Sequence, residues 1–199
     1  MSEPNHQTAK QHLSPPNFNP IPINLRNLGT NRSAATCITP AFGESLAQAA
    51  SVCLDERGHA SPTKMVVAGT FNMAAQVDWD RPSDQSRRCW NDDQYATEHG
   101  AYGVAALLVE SCGLEMLQRS KKKTGFDFWL GPAESKGTLF QGLIRCEVSG
   151  IRSGNAPEVD SRVRQKLKQT ERSEGEFPAV VVVVEFGYPI TKIVEKWKK

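Results

Sequence analysis

The sequence lacks the features that define several large classes of protein. Its longest apolar run covers only residues 179–184, far less than the roughly 20 residues that cross a bilayer. The N-terminus shows no charged-then-apolar signal pattern, so we expect a cytoplasmic protein with no membrane contact. No GxxxxGKS phosphate loop occurs, so any nucleotide-driven step would require a partner.

Cysteine is scarce and irregularly spaced. The five cysteines include no CxxC pair and are odd in number, which favours reduced thiols and gives a structural zinc site little support. The net charge is +2, a balance that neither requires nor excludes nucleic acid as a partner. A chain of 199 residues is long enough for one domain of ordinary size plus a tail.

Proline divides the chain into two regions. Residues 1–40 hold many of the 12 prolines together with Asn, Ser and Thr, and no helical or strand period survives there. We therefore predict an extended or disordered arm over 1–40 and a single domain over 41–199. The apolar stretch FNPIPINL, 18–25, is expected to dock on its own domain, with a partner as the alternative.

Hydrophobic periodicity predicts the order of elements in the domain. Helices are predicted over 43–58, 92–111 and 157–172, and a polar loop over 81–93. Strands are predicted over 63–71, 74–79, 114–120, 126–131, 139–151 and 177–190, followed by a basic tail that forms a short strand or helix. The run of five valines at 180–184 is typical of a strand buried on both faces. The fold class is therefore α/β, with a mixed β-sheet flanked by helices.

Two of the predicted strands each carry one carboxylate among apolar residues. Asp127 lies in GFDFWLG, 125–131, and Glu147 lies in RCEVSG, 145–150. A carboxylate in such a place costs free energy unless it stays wet, is paired or binds a cation. Each has an ordinary structural alternative, since backbone N–H groups could cap Asp127 and an arginine such as Arg145 could pair with Glu147.

Strand alternation indicates which side chains meet. Asp127 shares a face with Trp129, opposite a face made of Phe126, Phe128 and Leu130. Glu147 shares a face with Gln141, Leu143, Arg145 and Ser149. If the two strands pair, Asp127 and Glu147 lie side by side, and a divalent cation would relieve their repulsion. Mg²⁺ binds one or two carboxylates plus water and phosphate oxygens, an arrangement suited to phosphodiester hydrolysis.

Glu98 is a candidate third carboxylate. It lies early in the predicted helix 92–111, within YATEHGAYG. Gly100, Ala101 and Gly103 are predicted to let that helix approach the sheet closely, so that Glu98 projects towards the metal. The alternative is an exposed glutamate that suits the positive end of the helix dipole.

From residue 92 to 186, the order helix, three strands, helix, strand, with Glu98, Asp127 and Glu147 on those elements, resembles the PD-(D/E)XK nuclease superfamily. The resemblance implies a restriction-endonuclease-like αβββαβ core. It also implies that Asp127 and Glu147 bind Mg²⁺, with Mn²⁺ as a substitute, and that Glu98 assists them. The chain departs from the family pattern two residues after Glu147, where Ser149 stands in place of lysine. Lys166 on the following helix, or Lys136 before the third strand, is the candidate replacement.

Basic segments flank the carboxylates. The loop RSKKKTG, 119–125, runs directly into Asp127, and the helix 157–172 is rich in Lys and Arg. Both are expected to contact the phosphate backbone, although both also suit a solvated surface. The candidate nucleic-acid-binding residues are Lys121, Lys122, Lys123, Lys136, Ser149, Arg162 and Gln169.

These residues predict a Mg²⁺-dependent DNA nuclease, with DNA favoured over RNA and the choice between endonuclease and exonuclease open. By analogy with the family, the chain would serve as a homodimer or a subunit in DNA processing or defence against foreign DNA. The alternative is an inactive nuclease-fold subunit that binds protein or DNA, and Ser149 is the feature that favours it. Retention of all three carboxylates favours the enzyme.

Overall fold

An eight-stranded mixed sheet organises the chain. The computed structural model describes residues 19–133, 142–173, 175 and 177–197. The strands are β1 (Ile21–Asn24), β2 (Thr63–Gly69), β3 (Met73–Asp78), β4 (Leu114–Arg119), β5 (Phe128–Pro132), β6 (Ile144–Ile151), β7 (Ala179–Glu185) and β8 (Ile190–Lys196). The helices are α1 (Pro40–Glu56), α2 (Asp84–Cys89), α3 (Asp93–Ser111) and α4 (Ala156–Thr170).

The strand order across the sheet is β1-β3-β2-β8-β7-β6-β5-β4. Neighbours pair in parallel at β1–β3, β2–β8 and β6–β7, and the other neighbours pair antiparallel. The predicted mixed α/β sheet is therefore present. The predicted succession of α3, β4, β5, β6, α4 and β7 also appears in the chain.

The valine run forms the centre of the sheet. Every residue of β7 is buried. Val180 and Val182 pack into the main core with α1 and α3, while Val181 and Val183 pack against Val159 of α4 on the other face. Because helices cover both faces of β7, neither face is polar, and the sequence shows no alternation of polar and apolar residues there.

The helices begin where the sequence supplies caps. The Asp92 side chain accepts a hydrogen bond from the Tyr95 N–H at the start of α3. Asn155 and Glu158 form a capping box at the start of α4, and Pro157 lies in its first turn. Such caps satisfy backbone donors that have no partner within the helix. They fix the two helices that border the cleft described below.

The small residues of α3 have a role in addition to the predicted one. A Cβ on Gly100 would meet Ala50 and Phe186, and a Cβ on Gly103 would meet Leu46. Gly100 and Gly103 therefore allow α3 to pack closely against α1, a contact that the prediction did not include. α1 and α3 form one helical layer over the sheet.

Gly150 of β6 is the residue that brings the sheet close to α3. A Cβ at this position would lie 2.6 Å from Thr97 Cγ2 and would also overlap the Thr97 carbonyl oxygen. No larger residue fits unless α3 moves away from β6. The helix that carries Glu98 is therefore seated directly on the strand that carries Glu147.

We expect Gly150→Ala to lower the free energy of unfolding by about 3 kcal/mol, because overpacking forces the helix or strand to shift. Urea denaturation measures the change. Gly175→Ala is the matched control, since the nearest atom to its added Cβ is 3.7 Å away. Equal stabilities for the two variants would contradict the close contact.

Several boundaries differ from those predicted. The region 81–93 contains α2, which Ser83 caps, so it is not entirely loop. The predicted strand 177–190 divides into β7 and the start of β8, and the basic tail continues β8 as a strand. The predicted strand 139–151 begins at Ile144 in the described part of the chain.

Part of the predicted N-terminal arm belongs to the main core. β1 pairs in parallel with β3, and a 3-10 turn follows at Leu25–Gly29. Leu25, Leu28 and Ile38 are buried in the same core as α1 and α3. Ile21, Ile23 and Leu25 thus pack on their own domain, as predicted. Among the helices of the described ranges, none has both the length and the hydrophobicity that crossing a bilayer requires.

Candidate functional site

A cleft opens where β6 continues past the first residue of β5. β5 pairs with β6 only between Phe128↔Cys146 and Leu130↔Ile144, so the later residues of β6 have no β5 neighbour. α3 forms one wall of the cleft and α4 forms the other. The cavity has a volume of about 590 Å³. Glu98, Asp127, Glu147 and Lys166 all line it.

The side chain of Asp127 lies beside that of Glu147. Phe128 is paired with Cys146, and the Asp127 N–H also donates to the Cys146 carbonyl oxygen at 2.8 Å, so Asp127 lies where the regular pairing of β5 with β6 stops. The carboxyl groups of Asp127 and Glu147 line the same cavity and lie within hydrogen-bonding reach of each other. The predicted juxtaposition of the two carboxylates is therefore present.

The predicted faces hold for β6 but fail before β5. Glu147 and Ser149 both contact side chains of α4, whereas Cys146 and Val148 belong to the main core. Phe126, predicted to face with Phe128, instead packs edge-on against Trp129 at 4.7 Å. The chain is not extended before Asp127, because Lys123 and Gly125 have left-handed φ values of 76° and 87°.

Asp127 is held by donors from two elements. Its Oδ2 accepts a hydrogen bond from the Val148 N–H at 2.9 Å, and its Oδ1 accepts one from the Tyr102 hydroxyl at 3.2 Å. Because Asp127 immediately precedes β5, its carboxylate reaches past the strand end into the cleft. These two bonds fix the orientation of both oxygens.

Glu147 is held by α4. Its Oε1 accepts hydrogen bonds from Lys166 Nζ at 2.6 Å and from Gln169 Nε2 at 2.9 Å. Lys166 Nζ also donates to Gln169 Oε1 at 3.1 Å. The predicted position of Lys166 on a helical face that reaches the sheet is confirmed. Arg145, the alternative partner of Glu147, donates to backbone carbonyl oxygens including that of Phe177.

Burial makes both carboxyl groups harder to ionise. Burial, followed by the charge of Asp127, raises the pKa of Glu147 to about 7, against the opposing effect of Lys166. Burial also raises the pKa of Asp127, although the Val148 N–H and Lys166 oppose the shift. The single ammonium group of Lys166 therefore does not balance the charges of two ionised carboxylates.

The unmatched atom is Glu147 Oε2, which is buried and has no hydrogen-bond donor. A carboxylate oxygen without a donor, next to a second carboxylate, is suited to a cation. The pair therefore fits Mg²⁺, which needs only one or two protein carboxylates with water. Within the described ranges, no group of three or more His, Cys, Asp or Glu side chains is arranged to hold a metal ion.

Glu98 reaches the site through Tyr102. The Tyr102 hydroxyl lies 2.7 Å from Glu98 Oε1 and 3.2 Å from Asp127 Oδ1, so it stands between the two carboxylates. Burial and the charge of Asp127 raise the pKa of Tyr102, which keeps the phenol protonated. Glu98 therefore contacts a proton donor shared with Asp127, in contrast to the predicted direct approach to a metal.

Some of the remaining predicted nucleic-acid-binding residues line the cleft and others do not. Ser149 accepts a hydrogen bond from Arg162 Nη1 at 2.9 Å inside the cleft. Lys121, Lys122 and Lys123 are exposed in the β4–β5 turn and do not line the cleft. Lys136 lies outside the described residues.

Tyr102 and Arg119 contact the candidate site, although neither was predicted as a site residue. Tyr102 follows Glu98 by four positions on α3, a spacing that places both on one helical face and could have indicated the contact. The Arg119 guanidinium lies 5.0 Å from the centre of the Tyr102 ring and 5.2 Å from that of Phe128. Arg119 begins the predicted basic loop, but its place beside these rings depends on the pairing of β4 with β5.

The raised pKa of Glu147 predicts a pH-dependent stability. Its pKa rises from 4.5 to about 7 on folding, so the folded state holds a proton that the unfolded chain releases between these values. The contribution of Glu147 to the free energy of unfolding is therefore fully present below the pKa of the unfolded state and is lost as the pH rises through the pKa of the folded state.

Without divalent cations, we expect the free energy of unfolding of the wild type to fall by on the order of 2 kcal/mol more than that of Glu147→Gln between about pH 5 and about pH 8. Urea denaturation in a chelating buffer measures both. Parallel pH profiles for the two proteins would show that Glu147 ionises normally.

Residues from four parts of the chain thus meet in one cleft. α3 contributes Glu98 and Tyr102, the end of the β4–β5 connection contributes Asp127, β6 contributes Glu147, and α4 contributes Lys166. The arrangement can hold a cation beside an ammonium group in a cavity open to solvent. No family model, no curated protein and no solved structure matches this chain.

Proposed function

We propose that the protein is a Mg²⁺-dependent phosphodiesterase acting on nucleic acid. The observation that carries the proposal is the pair of Asp127 and Glu147, placed side by side at a strand end with Lys166 Nζ 2.6 Å from Glu147 Oε1. A buried carboxylate pair that lacks sufficient positive charge, at the wall of an open cleft, favours a divalent cation and an anionic substrate.

Asp127 and Glu147 would hold the cation. When bound, Mg²⁺ would neutralise charge on the phosphate and activate water. The Val148 N–H and the Tyr102 hydroxyl fix the Asp127 carboxylate, so its oxygens are oriented before substrate enters. Preorganised groups of this kind lower the barrier because they need not reorient during the reaction.

Lys166 would take the role of the catalytic lysine of the PD-(D/E)XK pattern, because Ser149 stands at the position where that lysine is expected. Its ammonium group lies at the carboxylates although it comes from α4, and Gln169 holds it in place. There it would orient the attacking water or stabilise the negative charge that develops on the phosphate. Glu98 would act through Tyr102 and support Asp127.

Arg162 supplies further positive charge in the cleft. It lines the cavity on the side of α4 and donates a hydrogen bond to the Ser149 hydroxyl. There it would contact a phosphate of a nucleic-acid backbone. Arg152 also lines the cavity, but its charge is balanced by an ion pair with Glu56 and by Asp93 at 3.5 Å. The element order from α3 to β7 agrees with the PD-(D/E)XK pattern, which favours DNA as the substrate.

A second candidate function is an inactive subunit with the same fold. Two observations favour it. Ser149 stands at the expected lysine position and is engaged by Arg162, and the described residues include no three-member metal-ligand group. In this case the Lys166–Glu147 ion pair would be purely structural, and the cleft would bind nucleic acid or protein without cutting.

The experiment that separates the two functions is a cleavage assay on supercoiled plasmid, single-stranded DNA and RNA, with Mg²⁺, Mn²⁺ or EDTA. Calorimetric titration of the protein with Mg²⁺ runs beside it. Cutting that requires Mg²⁺ or Mn²⁺ and stops in EDTA supports the nuclease. A folded protein that binds no Mg²⁺ and cuts none of the three substrates would contradict it.

A further inference from the structure

An aromatic stripe runs along α3 beside the cleft. We define it by Tyr95, His99 and Tyr102, which follow one another at four and three positions and so share a helical face. The rings of Tyr95 and His99 lie 4.0 Å apart, and those of His99 and Tyr102 lie 5.9 Å apart. The stripe therefore forms a continuous row that ends at the carboxylates.

Tyr95, at the outer end of the stripe, is exposed and packs on a buried ring. Tyr95 is 53% exposed, while Trp90, which stacks on it at 5.4 Å with an interplanar angle of 19°, is only 5% exposed. Trp90 also lies 5.5 Å from His99. A buried ring beneath an exposed ring holds the exposed one in a fixed orientation. Folding leaves much of the Tyr95 surface open to a further aromatic partner.

The stripe meets the cleft at its inner end. Tyr102 lines the cavity and bonds to Asp127 itself, and Tyr95 and His99 continue the row outward along α3. A chain whose backbone lies in the cleft could therefore place its side groups against the stripe.

Positive charge accompanies the aromatic rings. The Arg119 guanidinium lies 5.0 Å from the centre of the Tyr102 ring, and the exposed Lys121, Lys122 and Lys123 follow it in the chain. Of the nearby acidic residues, Asp92 accepts the capping hydrogen bond at the start of α3 and Asp93 lies 3.5 Å from Arg152. Aromatic side chains beside basic ones are typical of surfaces that bind single strands, because bases stack and phosphates need counter-charge.

We propose that the aromatic stripe binds unpaired nucleobases, so that single-stranded DNA is the preferred substrate of the cleft. The proposal rests on the proposed function for its catalytic part, but the binding part requires no metal. Bases within a duplex are covered by their neighbours and cannot stack on Tyr95. Stacking on a protein ring tolerates any base, so the surface selects strand state without selecting sequence.

The test measures binding in EDTA, where no cutting occurs. Fluorescence anisotropy compares a labelled single-stranded DNA of about 12 nucleotides with a duplex of the same length. We expect the wild type to favour the single strand. Tyr95→Ala should weaken single-strand binding about 5- to 100-fold, and Tyr95→Phe should retain it, because stacking requires the ring alone.

Tyr188→Ala is the matched control. Tyr188 is 78% exposed, lies in the β7–β8 turn and is not among the residues that line the cleft, so its loss should leave binding unchanged. Equal affinities for single strand and duplex, an equal loss in Tyr95→Ala and Tyr188→Ala, or no binding by the wild type would overturn the proposal. Circular dichroism checks that each variant is folded.

The outcomes separate the aromatic stripe from the nuclease. Single-strand binding that depends on Tyr95, without cleavage in Mg²⁺, would support the stripe and contradict the nuclease. Cleavage in Mg²⁺ with a Tyr95→Ala variant that binds single strands as tightly as the wild type would overturn the stripe alone.

Discussion

Replacing Asp127 by Asn together with Glu147 by Gln is expected to lower the rate of metal-dependent cleavage by about 10³-fold or more, since the cation supplies several kcal/mol of transition-state stabilisation. The substitutions keep the shapes of both side chains and remove both charges. Mg²⁺ titration should show no binding in the double variant. Plasmid and oligonucleotide cleavage measure the rate.

The same double variant should be more stable than the wild type in EDTA. Burial raises the pKa of both carboxyl groups, and the charge of Asp127 raises that of Glu147 further, so removing the charges removes a cost of folding above neutral pH. Higher stability together with lost activity would show that the inactive variant is folded.

Asp80→Asn is the control for a general loss of negative charge. The Asp80 side chain is 76% exposed and pairs with Arg26, far from the cleft in the strand order. It should leave cleavage and Mg²⁺ binding unchanged. Full activity in the double variant would contradict the assignment of Asp127 and Glu147.

The second large effect is expected at Lys166. Lys166→Met should lower kcat by about 10²- to 10³-fold, because it removes the only ammonium group bonded to Glu147 in the described part of the chain. Mg²⁺ binding should persist, since both carboxylates remain and the competing cation is gone. Single-turnover cleavage and calorimetric titration measure the two properties separately.

Lys168→Met is the matched control, because Lys168 lies on the same helix two residues away and is exposed. It should retain wild-type kcat. If Lys166→Met cuts as fast as the wild type, the catalytic lysine lies elsewhere or the ion pair with Glu147 is structural. A loss of both Mg²⁺ binding and folding in this variant would also assign Lys166 a structural role.

The local sequence was sufficient to predict the elements that build the cleft. Strand alternation placed Glu147 and Ser149 on one face of β6, and both contact α4 there. The helical stripe of Val159 and Val163 predicted which side of α4 packs on the sheet, and Lys166 follows from it on the adjoining face. These patterns have short periods, so neighbouring residues are enough to define them.

Other features depended on residues far apart in the sequence. The contact of Gly150 with Thr97 and the packing of Gly100 against Ala50 involve different elements. A glycine in the sequence does not reveal which neighbour it accommodates. The alternation rule failed at Phe126 because left-handed residues precede it, and such turns are poorly specified by hydrophobicity.

The sequence by itself determined the α/β class, the order of elements after residue 92 and the presence of two carboxylates in strands. Only the tertiary structure decided that Asp127 meets Glu147, that Lys166 pairs with Glu147, and that Tyr102 stands between Glu98 and Asp127. The physical reason is distance along the chain. Secondary structure follows from local spacing, whereas the site is assembled by strand pairing and helix packing between segments that do not adjoin in sequence.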